Sequence, residues 1–145
     1  YGSVFSIFLA QKLANKPLTI VGDGNQTRDF IHIFDLIDVV IESAKKGRDG
    51  EVYNVGSGIE TSINLLANTI GGKKVKVPKR PGETDRSLAD ITKVKTDFNW
   101  KPKIGIKEGI LMLLKNINEW NEAPVWTSEA LKEETENWFK PLSKN

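Results

Sequence analysis

The sequence has no cysteine and a single histidine, His32. The first absence excludes disulfides and thiolate metal sites and fits a reducing cytoplasm. The second leaves a protein-only zinc or iron centre without its usual ligands. No apolar run approaches the roughly 20 residues that cross a bilayer, so no membrane partner is expected. Charge of one sign is also scarce: the formal net charge is +2. That surplus is too small, and its lysines too scattered, for a nucleic-acid surface. No secretory leader pattern is visible, and the chain opens on Tyr1 rather than a methionine. We therefore expect a piece of a longer protein.

What is present reads as an ordinary globular domain. Apolar residues make up 39% and charged residues 28% of the 145 residues, which separates the chain from disordered sequences. Val4, Ile7, Phe8 and Leu13 share one helical face, and Asn15-Lys16-Pro17 stops that helix. Leu18 to Val21 reads as a short strand closed by Gly22-Asp23-Gly24-Asn25. Further extended stretches are expected at Phe30–Ile33, Glu51–Val55 and Val75–Val77. Helices are expected from Asp35 to Lys46, after Ser62, from Ile91 to Phe98 and from Ile106 to Trp120. A last helix is expected around Thr127–Phe139, capped by Thr127 with Glu129 in its first turn. Few short strands among several helices give an α/β class without the strict alternation that closes a doubly wound sheet.

Two glycine pairs invite a cofactor reading. Gly22-Asp23-Gly24 lacks the third glycine of a dinucleotide fingerprint and leads into an extended run instead of a helix. Gly56-Ser57-Gly58 has the better context, but Thr61 stands where the last glycine belongs. Both read as turns that need positive φ. Arg28 follows the first turn at the mouth of a half-buried strand, where packing can hold its fork toward a phosphate. The plainer alternative is a surface arginine paired with Asp23 or Asp29. His32 reads as a core histidine before it reads as a base. The loop Arg80-Pro81-Gly82-Glu83-Thr84-Asp85-Arg86 presents both signs of charge from a fixed backbone. Such a pair suits a ligand with a phosphate and a diol, although a solvated loop would look the same.

Taken together, these blocks resemble a known family. Pro17 to His32 (PLTIVGDGNQTRDFIH), Gly50 to Gly56 (GEVYNVG), and Arg80-Pro81-Gly82-Glu83 with Arg86-Ser87-Leu88-Ala89-Asp90, Lys93 and Trp100-Lys101-Pro102 occur in the order found in the extended short-chain dehydrogenase/reductase family. These are the nucleotide-sugar epimerases and dehydratases, and the likeness covers the C-terminal half of their fold. The resemblance implies that residues 1–145 are the C-terminal substrate-binding part of an NAD(P)-binding Rossmann-like fold. It implies that Arg28 and Arg80 contact the diphosphate of a sugar nucleotide and that Glu83 binds the ribose hydroxyls. Thr19 and Val21 would offer backbone groups to the nucleobase, while Ser87 and Asp90 would support the loop and a helix start. NAD would be held by an N-terminal half that this chain lacks, and the full enzyme would be a homodimer.

The family's Tyr-x-x-x-Lys pair is missing. Tyr1 is followed four residues on by Phe5, and Tyr53 by Ser57. The expectation is thus a UDP-glucose 4-epimerase-like substrate-binding half that is inactive alone. A 4,6-dehydratase half and a non-catalytic sugar-nucleotide-binding module are the alternatives.

Overall fold

The structure is a computed structural model that describes residues 3–79, 81–131 and 133. The chain begins with helix α1 (Val4–Leu13), whose N-cap Ser3 accepts from Ser6 N–H. Its C-terminus closes as a Schellman turn: Asn15 takes the left-handed conformation (φ 53°), and Lys16 N–H reaches Gln11 C=O at 2.8 Å. Strand β1 (Leu18–Val21) follows directly. After the glycine turn come β2 (Thr27–Asp29) and α2 (Ile33–Lys46), then, across a long loop, β3 (Glu60–Ser62), α3 (Ile63–Ile70) and β4 (Lys74–Val77). Helices α4 (Thr92–Phe98) and α5 (Ile106–Lys115) and a 3-10 turn (Ile117–Trp120) complete the regular elements.

The strands form two small sheets. β1 and β4 pair in parallel, Leu18 opposite Lys74 and Val21 opposite Val77. β2 and β3 pair antiparallel, with Arg28 opposite Thr61. Around them sit two apolar clusters. The first packs Phe8, Leu18, Ile20, Leu66, Ile70 and Ile110, so α1, α3 and α5 close over β1. The second packs Val39, Ile91, Val94, Phe98 and Trp100 between α2 and α4.

Several expectations change. Glu51–Val55 forms no strand. Its β-rich sequence lacks a ladder partner among the described residues, and strand propensity is realised only against a neighbour. Side chains from α4 hold it instead: Lys93 bonds Glu51 and Val52 C=O, and the Tyr53 hydroxyl donates to Asp97 at 3.1 Å. The second extended stretch is Thr27–Asp29 rather than Phe30–Ile33, because Ile33 opens α2. His32 is neither core nor base. It is the N-cap of α2, with Nδ1 accepting from Phe34 N–H at 3.2 Å. Asp35 lies in the first turn, fully buried, and its carboxylate accepts from Lys103 N–H and Ile104 N–H at 3.0 Å each. The helix expected from Ile106 to Trp120 breaks at Asn116, and its last turn winds as 3-10. Thr127 does cap a final turn through Ala130 N–H; the rest of that helix, to Phe139, lies mostly outside the described residues, as does Arg80.

Candidate functional site

The site is built where the β1–β2 turn meets the loop after β4. Gly22 and Gly24 both have positive φ, 63° and 79°. Gly24 has no room either: a Cβ would come within 2.3 Å of Asn64 Oδ1 and 2.6 Å of Ile20. The turn is therefore pressed against the start of α3, where Asn64 donates to Asp23 C=O and Asn25 Oδ1. In the second glycine pair Gly58 has the expected positive φ, 70°, and Gly56 does not. Gly56 is small instead because a Cβ would strike Asp29 Oδ2 at 2.4 Å and Ala89 at 2.8 Å.

Asp29 is the joint of this region. Its carboxylate accepts from Ser57 N–H (2.7 Å), Ser57 Oγ (2.6 Å), Gly58 N–H (3.0 Å) and Ala89 N–H (3.3 Å). Two separate segments, Ser57-Gly58 and the one at Ala89, are thereby pinned to β2. The charged loop is drawn to the same strand through its backbone: Thr27 N–H donates to Asp85 C=O at 2.9 Å, and Ser87 N–H to Thr27 C=O at 3.1 Å. Glu60 locks the arrangement by accepting from Thr27 Oγ1 and from Arg86 Nε. The Arg86 guanidinium, and then the Thr27 hydroxyl, hold the Glu60 carboxyl below its ordinary range. Asp90 marks the start of α4 by accepting from Thr92 N–H.

This docking brings two of the candidate residues side by side. Arg28 Nη2 lies 3.5 Å from Glu83 Oε1, while Nη1 donates to Thr27 C=O at 2.8 Å. Arg28 therefore pairs with neither Asp23 nor Asp29. Glu83 points inward rather than to solvent, and its Oε2 is buried with no hydrogen-bond partner among the described residues.

Glu83 stands at the junction of two cavities, and Arg28 lines one of them. One, of about 380 Å³, is lined by Phe5, Phe8, Thr19, Phe30, Ile63 and Leu131 together with Arg28 and Glu83. The other, of about 530 Å³, is lined by Gly22, Asp23, Asn25, Lys79 and Asp85 together with Glu83. Val21 and Gln26 border both. One cavity is thus mainly aromatic and apolar, the other charged, and the Glu83 carboxylate sits between them. Lys79 pairs with Asp85 at 2.6 Å, which raises its pKa.

The strand-edge groups expected at Thr19 and Val21 are partly in use. Thr19 N–H donates to Gln11 Oε1 at 3.1 Å, and Val21 C=O accepts from Gln26 Nε2 at 3.0 Å. Gln11 and Gln26 were not legible as site residues, since a glutamine in a helix or a turn carries no pattern of its own. Among the described residues no cluster of His, Asp or Glu could hold a metal ion. No helix among them is long and apolar enough to cross a membrane.

The geometry is that of an α/β fold whose cavity joins an apolar wall to an arginine–glutamate pair. The comparisons name the class. Residues 3–113 match the family model described as GDP-mannose 4,6 dehydratase. The chain belongs to the extended short-chain dehydrogenase/reductase family of nucleotide-sugar epimerases and dehydratases. It is 33% identical over 114 residues to UDP-glucose 4-epimerase of Mycolicibacterium smegmatis, covering 74% of this chain and 36% of that protein. It is 32% identical over 124 residues to UDP-glucuronic acid decarboxylase 4 of Arabidopsis thaliana, covering 81% of this chain and 28% of that protein. Among solved structures, UDP-glucuronic acid 4-epimerase from Bacillus cereus, in complex with UDP-glucuronic acid and NAD, superposes with a TM-score of 0.74 at 31% identity. That match covers 81% of this chain and 40% of the other. The chain thus spans well under half the length of these relatives.

Proposed function

We propose that this chain is the substrate-binding part of an NAD-dependent nucleotide-sugar epimerase of the UDP-glucose 4-epimerase kind. It grips the nucleoside diphosphate while a further part of the protein holds NAD. The observation that carries this reading is the Arg28–Glu83 pair with its unpartnered buried oxygen at the mouth of an apolar cavity. A guanidinium fork matches two phosphate oxygens, and a carboxylate with a vacant oxygen accepts from a vicinal diol. The aromatic wall offers Phe5 and Phe30, packed edge to face at 5.0 Å, to a flat base. Arg80, three positions beyond the end of β4 in sequence, would add a second guanidinium to the diphosphate. Thr19 and Val21 would border the base.

Oxidation and reduction of the sugar are assigned to the NAD-bearing part. The chain's own residues bind and orient, and Tyr53, tied to Asp97, takes no part as a base. This piece alone is expected to be inactive. The exposed apolar face of α2 supports a covering part of that kind: Ile33, Phe34, Ile37, Val40 and Ile41 are each between 45% and 59% exposed. At 100° per residue those five fall in a stripe about 120° wide, opposite the buried Asp35 and Val39. A 4,6-dehydratase half is the alternative that the description of the matching family model favours.

A thermal-shift screen with UDP, dTDP, GDP and CDP sugars tests the reading, and Glu83 sharpens it. Glu83→Ala should weaken UDP more than 2′-deoxy-UDP, because the deoxy sugar never supplied the second hydroxyl. Equal losses for the two ligands, or no stabilisation by any nucleotide, would reject the assignment.

A further inference from the structure

Gln11 on α1 is fully buried (0% exposed) and is not among the residues that line either cavity. Its amide nevertheless meets three polar atoms from two distant segments. Oε1 accepts from Thr19 N–H at 3.1 Å. Nε2 donates to Thr19 Oγ1 at 2.9 Å and also to Trp126 C=O, 115 positions away in sequence. Both amide hydrogens and one oxygen lone pair are therefore used, which fixes the orientation of the group. The Trp126 carbonyl is where the chain enters its last described turn. From there Ala130 N–H donates to Thr127 Oγ1, and Leu131 N–H donates to Thr127 C=O at 2.9 Å. Fixing Trp126 thus fixes where Leu131 lands. Leu131 is 4% exposed and lines the same 380 Å³ cavity as Thr19, Arg28 and Glu83.

We propose that Gln11 is a positioning residue for the nucleotide cavity: it latches the Trp126–Leu131 segment against β1, so that Leu131 closes the cavity wall beside Thr19. The inference rests on the reading of this cavity as the nucleotide site. The latch is polar where the wall is apolar. A segment held only by Leu131 could settle at several depths, whereas two donors from one rigid amide admit a single seat. The depth of the pocket is then a property of residue 11, which itself touches no ligand.

Gln11→Glu is the selective probe. It keeps the shape and the oxygen facing Thr19 N–H, and it removes the donors to Thr19 Oγ1 and Trp126 C=O. The second variant ends the chain after Ala123. Both are made in the full protein as its gene encodes it. They are read by calorimetry with UDP and by amide hydrogen exchange at Ala130 and Leu131. Gln11→Glu should raise the UDP Kd about tenfold or more and speed exchange at those two amides. In the shortened protein, which has already lost the wall, the same substitution should change the Kd no further. A loss of the same factor in both backgrounds would make Gln11 a general support for α1 and β1 and overturn the proposal, as would a shortened protein that binds UDP unchanged. Should the unaltered protein bind no nucleoside diphosphate, the cavity reading fails. Exchange then decides the latch alone, faster rates in Gln11→Glu upholding it and equal rates overturning it.

Discussion

The region around β1 and the region around α2 are built from similar residues and finished differently. Around β1, α1, α3 and α5 enclose Phe8, Leu18, Ile20 and Leu66, and the cavity they leave is bordered by paired polar groups. Around α2 the helix buries Val39 and Asp35 and turns five large apolar side chains to water. Nearby, Val52 is 79% exposed in a segment whose sequence is strand-like and which joins no sheet. The first region is closed around its core. The second has the composition of an interior without the neighbour that would make it one. An exposed stripe of this kind marks a place for another protein surface. The comparison teaches that similar apolar residues can close a core on one side of this chain and stay open to water on the other.

The largest effect that would break the comparison is in stability. Leu66→Ala, in the enclosed cluster, should cost about 2–5 kcal/mol in urea unfolding, from lost transfer energy and the cavity left behind. Val40→Ala, on the α2 stripe, should stay within about 0.5 kcal/mol. Comparable losses at the two positions would mean that the stripe is already covered and the contrast false. A step smaller is the joint between the regions. Asp29→Ala removes the acceptor for Ser57, Gly58 and Ala89 and should cost about 1.5–3 kcal/mol, the range for hydrogen bonds to a charged group. The same unfolding experiment checks it, and a loss no larger than that of a surface substitution would show that the two segments stay on β2 without the carboxylate.

The smallest effect is electrostatic. Glu60 has its pKa lowered in the fold, first by Arg86 and then by Thr27. A depressed folded pKa contributes stability that is present above the unfolded value and is lost as pH falls through the folded one. Acidification through and below the ordinary carboxylate range should therefore lower the unfolding midpoint more in the parent than in Glu60→Gln. Because the pair is exposed to solvent, added salt should shrink the difference. Parallel pH profiles for the two proteins would remove Glu60 as the lock on the charged loop.

How far these features could be read in advance depends on the range of the interactions that make them. α1, β1, α3 and β4 were legible because apolar spacing, Ser62 as a cap and glycine stops are local signals. β2 and β3 were not: Thr27-Arg28-Asp29 and Glu60-Thr61-Ser62 are polar triplets, and only their pairing with each other makes them strands. Glu51–Val55 misled for the converse reason, carrying strand residues without a partner strand. At the site, Arg28 and Glu83 stood out by motif, while their adjacency came from backbone bonds between β2 and the loop ending at Ser87. Gln11 and Gln26 act through single amides on distant or neighbouring backbone, which no spacing rule reports.

Two titrations of the full protein go to the centre of the account, one with UDP and one with uridine, each in the parent and in Arg28→Ala. The guanidinium is assigned to phosphate, so the substitution should weaken UDP by about 1.5–3 kcal/mol and leave uridine nearly unchanged. An Arg28→Ala protein that binds UDP as tightly as the parent, or that loses uridine by the same factor, would contradict the claim that this arginine and Glu83 frame a seat for a nucleoside diphosphate.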